Sequence, residues 1–237
     1  MKGNVVSRFI KKILLSTALA AVVLYGCETF AANHSSKAQK NHNLKSGEVV
    51  IDFNEYEVGT LPGGFTTAVT NGGEPGQWMI VDANEKKVLA QTDTAQINSR
   101  FPLCVYDKIS VKDVAVAVDF MAISGKLDQA AGLVVRYKDK DNYYITRANG
   151  LEDNIRLYRV ESGKRIQIAE AKLRAPAGQW HNLRLAVCGT NLKVFYDGKP
   201  IIDANDSTFA DAGKVGLWTK ADSVTYFADL KIEPKKK

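Results

Sequence analysis

The chain has 237 residues, of which 45% are hydrophobic and 24% are charged, a composition typical of globular proteins and a length that fits one all-β domain. Its formal charge of +6 comes from the termini, since residues 47–234 carry 22 Lys and Arg against 25 Asp and Glu. A nucleic-acid-binding domain concentrates positive charge on its fold, so this mildly acidic body excludes nucleic acid as a partner.

Residues 1–26 have the pattern of an export signal. Four Lys and Arg residues precede an apolar stretch of 14 residues, "ILLSTALAAVVLYG", which is typical of a signal peptide and short for a membrane span. The "LYGC" that ends at Cys27 resembles a bacterial lipoprotein box, in which that Cys is lipidated and becomes the mature N-terminus. The alternative is cleavage by signal peptidase within "TFAA", after residue 31 or 32. Both predict export, as a periplasmic or outer-membrane-anchored lipoprotein or as a secreted protein.

Polar segments flank the predicted domain. "NHSSKAQKNHNLKS", residues 33–46, lacks any apolar period and predicts a flexible tether. The predicted organisation is a signal peptide over 1–26, a tether over 27–46, a β-sandwich over 47–234 and a basic tail over 235–237. Membrane contact is expected only through a lipid on Cys27.

From residue 48 onward, short apolar segments alternate with turns. In "VKDVAVAVDFMA", residues 111–122, a period of two separates one face, Val114, Val116, Val118 and Phe120, from another, Asp113, Ala115, Ala117 and Asp119. Further strands are predicted at "EVVIDF", "AGLVVRY", "NYYITRA", "NIRLYRVE", "KRIQIAEA", "HNLRLAV", "LKVFYDGKPII", "GKVGLWT" and "VTYFADLKI". Loops rich in Gly and Pro are predicted at "GTLPGGF" and "TNGGEPGQW". This spacing of strands and turns predicts a β-sandwich or barrel.

Five motifs follow one another after residue 131: Gly-Leu-x-x-Arg, Asp-x-x-Asn-Tyr-Tyr, Trp, Asp-Gly-Lys and Gly-Leu-Trp-Thr. Their order resembles the concanavalin A-like lectin/glucanase jelly roll, and within it the family-16-like or 3-keto-disaccharide hydrolase domain. The resemblance implies an all-β sandwich of two antiparallel sheets with ligands on the concave sheet. Because this fold hosts enzymes, lectins and structural modules, the role must be argued from the site.

The acidic residues do not form the catalytic dyad of laminarinase-type relatives. Those relatives carry Glu-x-Asp-x-x-Glu on one strand, which places two carboxyls at the roughly 5–5.5 Å that retaining glycosidases need. This sequence lacks that pattern, and its acid-x-acid pairs, Glu55/Glu57 and Asp139/Asp141, fall beside a loop and in a turn. Asp139, Asp141 and Asn142 are either a structural calcium site or ordinary turn residues, and no other cofactor or metal is expected.

Two tight turns within residues 136–166 predict which side chains share a face. If residues 138–141 and 150–153 are four-residue loops, Arg136 pairs with Tyr143, and Arg147 pairs with Arg156. The resulting candidate ligand-binding residues on one face are Arg136, Tyr143, Arg147, Arg156 and Tyr158. The opposite, apolar face takes Leu133, Val135, Tyr144, Ile155 and Leu157.

Arg147 opposite Arg156 is unfavourable by itself, since like charges across a sheet repel each other. Asp119 is the predicted compensating acid. Trp218 is predicted on the same face because it follows Gly216 by two residues, and residues two apart in a strand share a face. Tyr rings suit the faces of sugars, and Arg forks bind hydroxyls or carboxylates. The cluster is therefore predicted to be a glycan groove, and the alternative is an Arg–Asp network that braces an unliganded sheet.

Three functions stay open on these residues. The first is an envelope-tethered carbohydrate-binding module without catalysis, with a saccharide or glycan as its partner. The second is a glycoside-cleaving enzyme of the 3-keto-disaccharide type that uses Asp119 or another acid. The third is a purely structural envelope protein.

Cys104 and Cys188 are the cysteines left after Cys27. In an oxidising compartment they either form a disulfide or remain two separate buried thiols, and both alternatives stay open.

Overall fold

The computed structural model describes residues 47–84 and 86–235, so the predicted export signal, Cys27 and the tether lie outside the described residues. Fifteen strands run through this part of the chain: β1 Val49–Ile51, β2 Phe65–Thr70, β3 Trp78–Asp82, β4 Lys87–Gln91, β5 Phe101–Val111, β6 Val114–Ser124, β7 Ala130–Asp139, β8 Asn142–Asn149, β9 Asn154–Glu161, β10 Lys164–Lys172, β11 His181–Cys188, β12 Asn191–Tyr196, β13 Lys199–Asn205, β14 Gly213–Trp218 and β15 Val224–Pro234. A short 3-10 helix, Phe53–Glu55, follows β1. None of the helical structure in the described ranges is long and apolar enough to cross a membrane.

The strands form two antiparallel sheets packed face to face. The eight-stranded sheet has the order β13-β12-β11-β6-β15-β4-β3, with β1 paired to β15, and the seven-stranded sheet has the order β10-β9-β8-β7-β14-β5-β2. This architecture confirms the predicted all-β jelly-roll sandwich.

Period-two alternation decides which side chains point between the sheets. The predicted apolar face of β6, Val114, Val116, Val118 and Phe120, is buried in the central core. The seven-stranded sheet adds Leu133, Val135, Tyr144, Ile155 and Leu157 to the same core. Both predicted apolar faces are confirmed, because burying one face of each sheet demands this pattern.

Strands β2, β3 and β4 and most of β5 are not among the predicted strands. The two Gly/Pro-rich loops that surround β2 are present as predicted. β3 and β4 have only five residues each, and β4 is buried at four successive positions. The sequences of these strands, WMIVD and KVLAQ, do not alternate apolar with polar residue types, which is the pattern on which the prediction depends.

The register that would pair Arg136 with Tyr143 is confirmed farther from the turn, where Gly132 pairs with Arg147 and Val134 with Ile145, but it is wrong beside the turn. Asp139 pairs with Asn142 in a tighter turn, and a β-bulge interrupts the ladder between Val135 and Asp139. Arg136 lies in this bulge with a φ of 49°, which redirects its side chain. Asp139 Oδ1 accepts hydrogen bonds from the Asp141 amide at 2.8 Å and from Asn142 Nδ2 at 2.9 Å, so turn chemistry explains these residues.

The second predicted register is confirmed, since Arg147 pairs with Arg156 and Ile145 with Tyr158. As for metals, the part of the chain that the structure describes contains no group of three or more His, Cys, Asp or Glu placed to hold an ion.

The seven-stranded sheet curls away from the central core. Thr70 of β2 and Tyr143 of β8 are separated by three strands, yet Thr70 Oγ1 and the Tyr143 hydroxyl are 2.7 Å apart. In a flat sheet they would lie roughly 19 Å apart at about 4.8 Å per strand. The outer face of this sheet is therefore concave, and we call it the concave face. It carries a second buried cluster: Phe101, Leu103, Val105, Ala130, Val134, Tyr143, Ile145, Tyr158, Val160 and Trp218.

The two cysteines of the sandwich are free thiols. Cys104 is buried on β5 of the seven-stranded sheet, whereas Cys188 is exposed at the end of β11 in the other sheet. The structure thus has two separate thiols, of which only one is buried. Burial raises the pKa of the Cys104 thiol well above its ordinary value, which keeps that thiol protonated.

Candidate functional site

Four positions form one row across the concave face. In the strand ladders, Arg156 pairs with Arg147, Arg147 with Gly132, and Gly132 with Trp218. Directly paired residues of neighbouring strands point to the same side of a sheet. The structure therefore brings together Arg147, Arg156 and Trp218, three of the residues that the sequence placed on one face.

Gly132 allows this row to pack closely. A Cβ at this position would lie 3.2 Å from Trp218 Cε3 and 2.9 Å from the Thr146 carbonyl oxygen. The Trp218 ring is fully buried and stacks on Phe101 with ring centroids 5.3 Å apart. Tyr143 is also fully buried. These two aromatic residues belong to the packing of the fold and are not open platforms for a sugar ring.

Glu152, in the loop between β8 and β9, relieves the repulsion between the two facing arginines. Its Oε2 accepts hydrogen bonds from Arg147 Nη2 at 2.8 Å and from Arg156 Nη1 at 2.9 Å. Glu170, the ladder partner of Arg156 on β10, adds a carboxylate oxygen 2.5 Å from Arg156 Nε. The compensating acid is therefore Glu152 with Glu170, and we call these four residues the arginine network.

The two arginines of the network differ in exposure. The Arg147 side chain is 1% exposed, and Arg147 also donates to the Asn154 carbonyl oxygen at 3.2 Å and to the Tyr158 hydroxyl at 3.4 Å. The Arg156 side chain is 27% exposed. Arg147 thus holds the network together from beneath, and Arg156 presents it to solvent.

A lysine and a buried carboxylate extend the network. Lys220 Nζ is in contact with the Asp128 carboxylate and lies 3.9 Å from Glu152 Oε1. Burial raises the pKa of Asp128, although Lys220 opposes the shift. Burial alone would raise the pKa of Glu152. The charge of Arg147 and the other neighbouring donors have the larger effect, so the pKa of Glu152 is lowered overall. Glu152 is thereby held ionised, which suits a carboxylate between cations.

Arg165 of β10 joins the concave face and was not predicted there. Its guanidinium carbon lies 4.6 Å from the centroid of the Tyr158 ring, 4.8 Å from that of Phe101 and 5.9 Å from that of Trp218. Phe101 belongs to β5, and four strands lie between β5 and β10 in the sheet. Only the curl of the sheet brings these groups together, so no local pattern could have indicated the contact.

A shallow depression of about 710 Å³ opens at the β9–β10 edge of the concave face. Seven of the eight residues that line it are polar or charged, and the lining consists of Glu152, Asp153, Asn154, Arg156, Glu170, Lys172, Leu173 and Arg174. The exposed members of the arginine network therefore lie in this depression.

Two predicted site residues lie elsewhere. Arg136 donates hydrogen bonds of 2.6–2.9 Å to three carbonyl oxygens, those of Lys112, Phe209 and Gly189, because the bulge redirects it. Asp119 lies on β6 in the other sheet, where it accepts a hydrogen bond from Asn182 Nδ2 at 2.7 Å. Arg136 thus braces turns at the edge of the sandwich, and Asp119 cannot compensate Arg147.

Two antiparallel sheets, one of them curled and bearing a charged depression on its concave face, form a β-sandwich of the carbohydrate-binding-module type, related to accessory domains of glycoside hydrolases. Residues 59–233 match the family described as the 3-keto-alpha-glucoside-1,2-lyase-like domain, and the chain belongs to that family.

Three individual proteins are similar to parts of this chain. The chain is 30% identical over 91 residues to levanase from Bacillus subtilis (strain 168), which covers 38% of this chain but only 13% of levanase. The carbohydrate-binding module CBM66 from Bacillus subtilis is 25% identical and superimposes with a TM-score of 0.58 over 72% of this chain and 95% of that one. Domain 4 of a GH43 extracellular arabinanase from Geobacillus stearothermophilus, in complex with arabinotriose, shares the fold at 16% identity and a TM-score of 0.50, over 78% of this chain and 90% of that one.

Proposed function

We propose that this protein is an exported carbohydrate-binding module and that its saccharide ligand is bound on the concave face, in the depression beside the arginine network. The observation that carries the proposal is the exposed edge of that network, where Arg156, Glu152 and Glu170 hold one another in fixed positions. Fixed donors and acceptors lose little conformational entropy on binding, which favours recognition of sugar hydroxyls. The family membership and the similarity to CBM66 support the same class of ligand.

A glycan array followed by titration calorimetry on the purified full-length protein tests the proposal. Arg156→Ala is expected to weaken saccharide binding by about tenfold or more, because it removes a charged donor from the depression. Arg184→Ala is the matched control, since Arg184 is a half-exposed arginine paired with Glu233 at 2.9 Å on the other sheet. Absence of binding to any glycan would leave the purely structural envelope protein as the better reading.

Catalysis is the second candidate function, and one observation favours it. Asp128 and Glu152 flank Lys220, and their pKa values are shifted in opposite directions, as expected of an acid and base pair. Against it, the Asp128 side chain is fully buried and Glu152 is engaged by two arginines. Product analysis after prolonged incubation with each bound saccharide separates the two functions, because a binding module returns the saccharide unchanged.

The proposal also includes export of the protein and its attachment to a membrane through a lipid on Cys27. The apolar stretch of 14 residues and "LYGC" support lipidation of Cys27, with a tether over 27–46 that links the anchor to the sandwich. Cys27→Ala is expected to release the protein from membranes. A membrane fraction that does not change, together with a mature N-terminus that lacks an acyl group, would contradict the anchor and favour cleavage within "TFAA".

A further inference from the structure

Arg165 is a half-buried cation on the concave face whose charge no carboxylate within the described residues compensates. Arg147 and Arg156 share Glu152 and Glu170, and Lys220 contacts Asp128. The Arg165 side chain forms no ion pair and no hydrogen bond within residues 47–84 and 86–235. Of these four cations, Arg165 is the one that lacks a carboxylate partner among the described residues.

The surroundings of Arg165 make this lack of partners costly. The side chain is half-buried, and Nη1 is enclosed without a hydrogen-bond partner. Burial lowers the pKa of the Arg165 guanidinium, and nearby Arg147 lowers it further. A guanidinium carries five N–H donors, and leaving such donors unpaired away from water is unfavourable. The rings of Tyr158, Phe101 and Trp218 attract the cation, but they do not neutralise it.

We infer that the saccharide bound on the concave face carries a carboxylate, as a uronic acid does, and that Arg165 binds this carboxylate. The inference rests on the proposed function and names its class of ligand. A planar carboxylate matches the fork of a guanidinium and forms two parallel hydrogen bonds with it. It also supplies the negative charge that Arg165 does not find among the described residues. A neutral hydroxyl accepts a hydrogen bond but leaves the charge of Arg165 uncompensated.

Matched pairs of sugars test this inference by titration calorimetry on the full-length protein. The probes are methyl glucuronide against methyl glucoside and methyl galacturonide against methyl galactoside. In each pair the acidic sugar is expected to bind about tenfold more tightly than its neutral counterpart. Added salt is expected to weaken the acidic sugar more than the neutral one, because it screens the charge interaction.

Three variants assign the preference to Arg165. Arg165→Gln keeps hydrogen-bond donors but loses the charge, and it is expected to bind both sugars of a pair equally. Arg165→Lys keeps the charge without the fork and is expected to lose most of the preference, with melting temperatures reporting on the folding of both variants. Arg184→Gln, on the other sheet, is expected to retain the preference in full.

The outcomes separate this inference from the proposed function. Equal affinities within each pair, or a preference that survives in Arg165→Gln, would overturn the inference. If a sulfated galactoside binds more tightly than the galacturonide, the group that Arg165 recognises is a sulfate, and the inferred carboxylate is wrong. If neutral sugars bind equally well and Arg156→Ala abolishes their binding, the proposed function stands and the inference fails. If no saccharide binds at all, both fail.

Discussion

The interior of the sandwich and the concave face are built from alternate residues of the same strands, yet their side chains are shielded from water in different ways. On β8, Tyr144 and Ala148 point into the interior, while Tyr143, Ile145 and Arg147 point to the concave face. The interior is closed by a second sheet and is apolar almost throughout. The concave face is closed by the curl of its own sheet and by loops, and these bring carboxylates to buried arginines. A face closed in this way can bury charge and still keep an open edge, which the interior cannot do.

The largest expected effect tests the interior. Phe120→Ala should lower the free energy of unfolding by about 3–5 kcal/mol, because it leaves a cavity in the packed core. Phe195→Ala, on the outer side of the same sheet, is the matched control and should cost much less, since that ring is only partly buried. Equal melting temperatures for wild type and Phe120→Ala would show that the assigned face of β6 is wrong.

The next prediction asks whether the concave face is held together by its buried charge. Arg147→Ala should destabilise the fold by about 2–4 kcal/mol, because Asn154 and Tyr158 lose a buried donor and a cavity remains. Arg156→Ala should change stability by less than about 1 kcal/mol, as expected of a partly exposed ion pair. Chemical denaturation measures both, and equal losses would contradict the division between a bracing arginine and a presenting arginine.

A smaller effect is expected where the concave face approaches the backbone. Gly132→Ala should cost about 1–3 kcal/mol, since its Cβ would lie 2.9 Å from the Thr146 carbonyl oxygen. Gly63→Ala is the control, because its Cβ would meet nothing within 4 Å. Thermal unfolding compares the two variants, and a neutral Gly132→Ala would mean that the Trp218 row is more loosely packed than the structure has it.

The smallest expected effect concerns pH. The pKa of Glu152 is lowered in the folded protein, so its carboxylate contributes stability above its unfolded pKa, and this contribution is lost as the pH falls through the folded pKa. Glu152→Gln should therefore be less stable than wild type near pH 7, and the difference should shrink between about pH 5 and pH 3. Melting temperatures across this range measure it. A difference that does not change with pH would exclude Glu152 as the ionised bridge between the arginines.

Much of the fold could be predicted from the sequence because a period of two is a local property. Alternation placed β6 to β15 and the apolar faces of β6 to β9, and the "NGLED" turn set the register in which Arg147 faces Arg156. The same pattern showed that an acid had to lie near these two arginines, since facing cations repel. It did not indicate the bulge at Arg136, because extra residues in one strand change the faces on which its side chains lie without changing the apolar pattern of the sequence.

The sequence by itself determined the sandwich, the side of each strand that is apolar and the facing pair of arginines, all of which depend on neighbours in the chain or on a tight turn. Only the tertiary structure decided that Glu152 bridges the pair, that Asp119 lies on the other sheet and that Arg165 reaches Phe101 across the concave face. The physical reason is that these contacts depend on the order and curl of the strands within the sheet. Strand order and curl result from packing over the whole domain and leave no period in the chain.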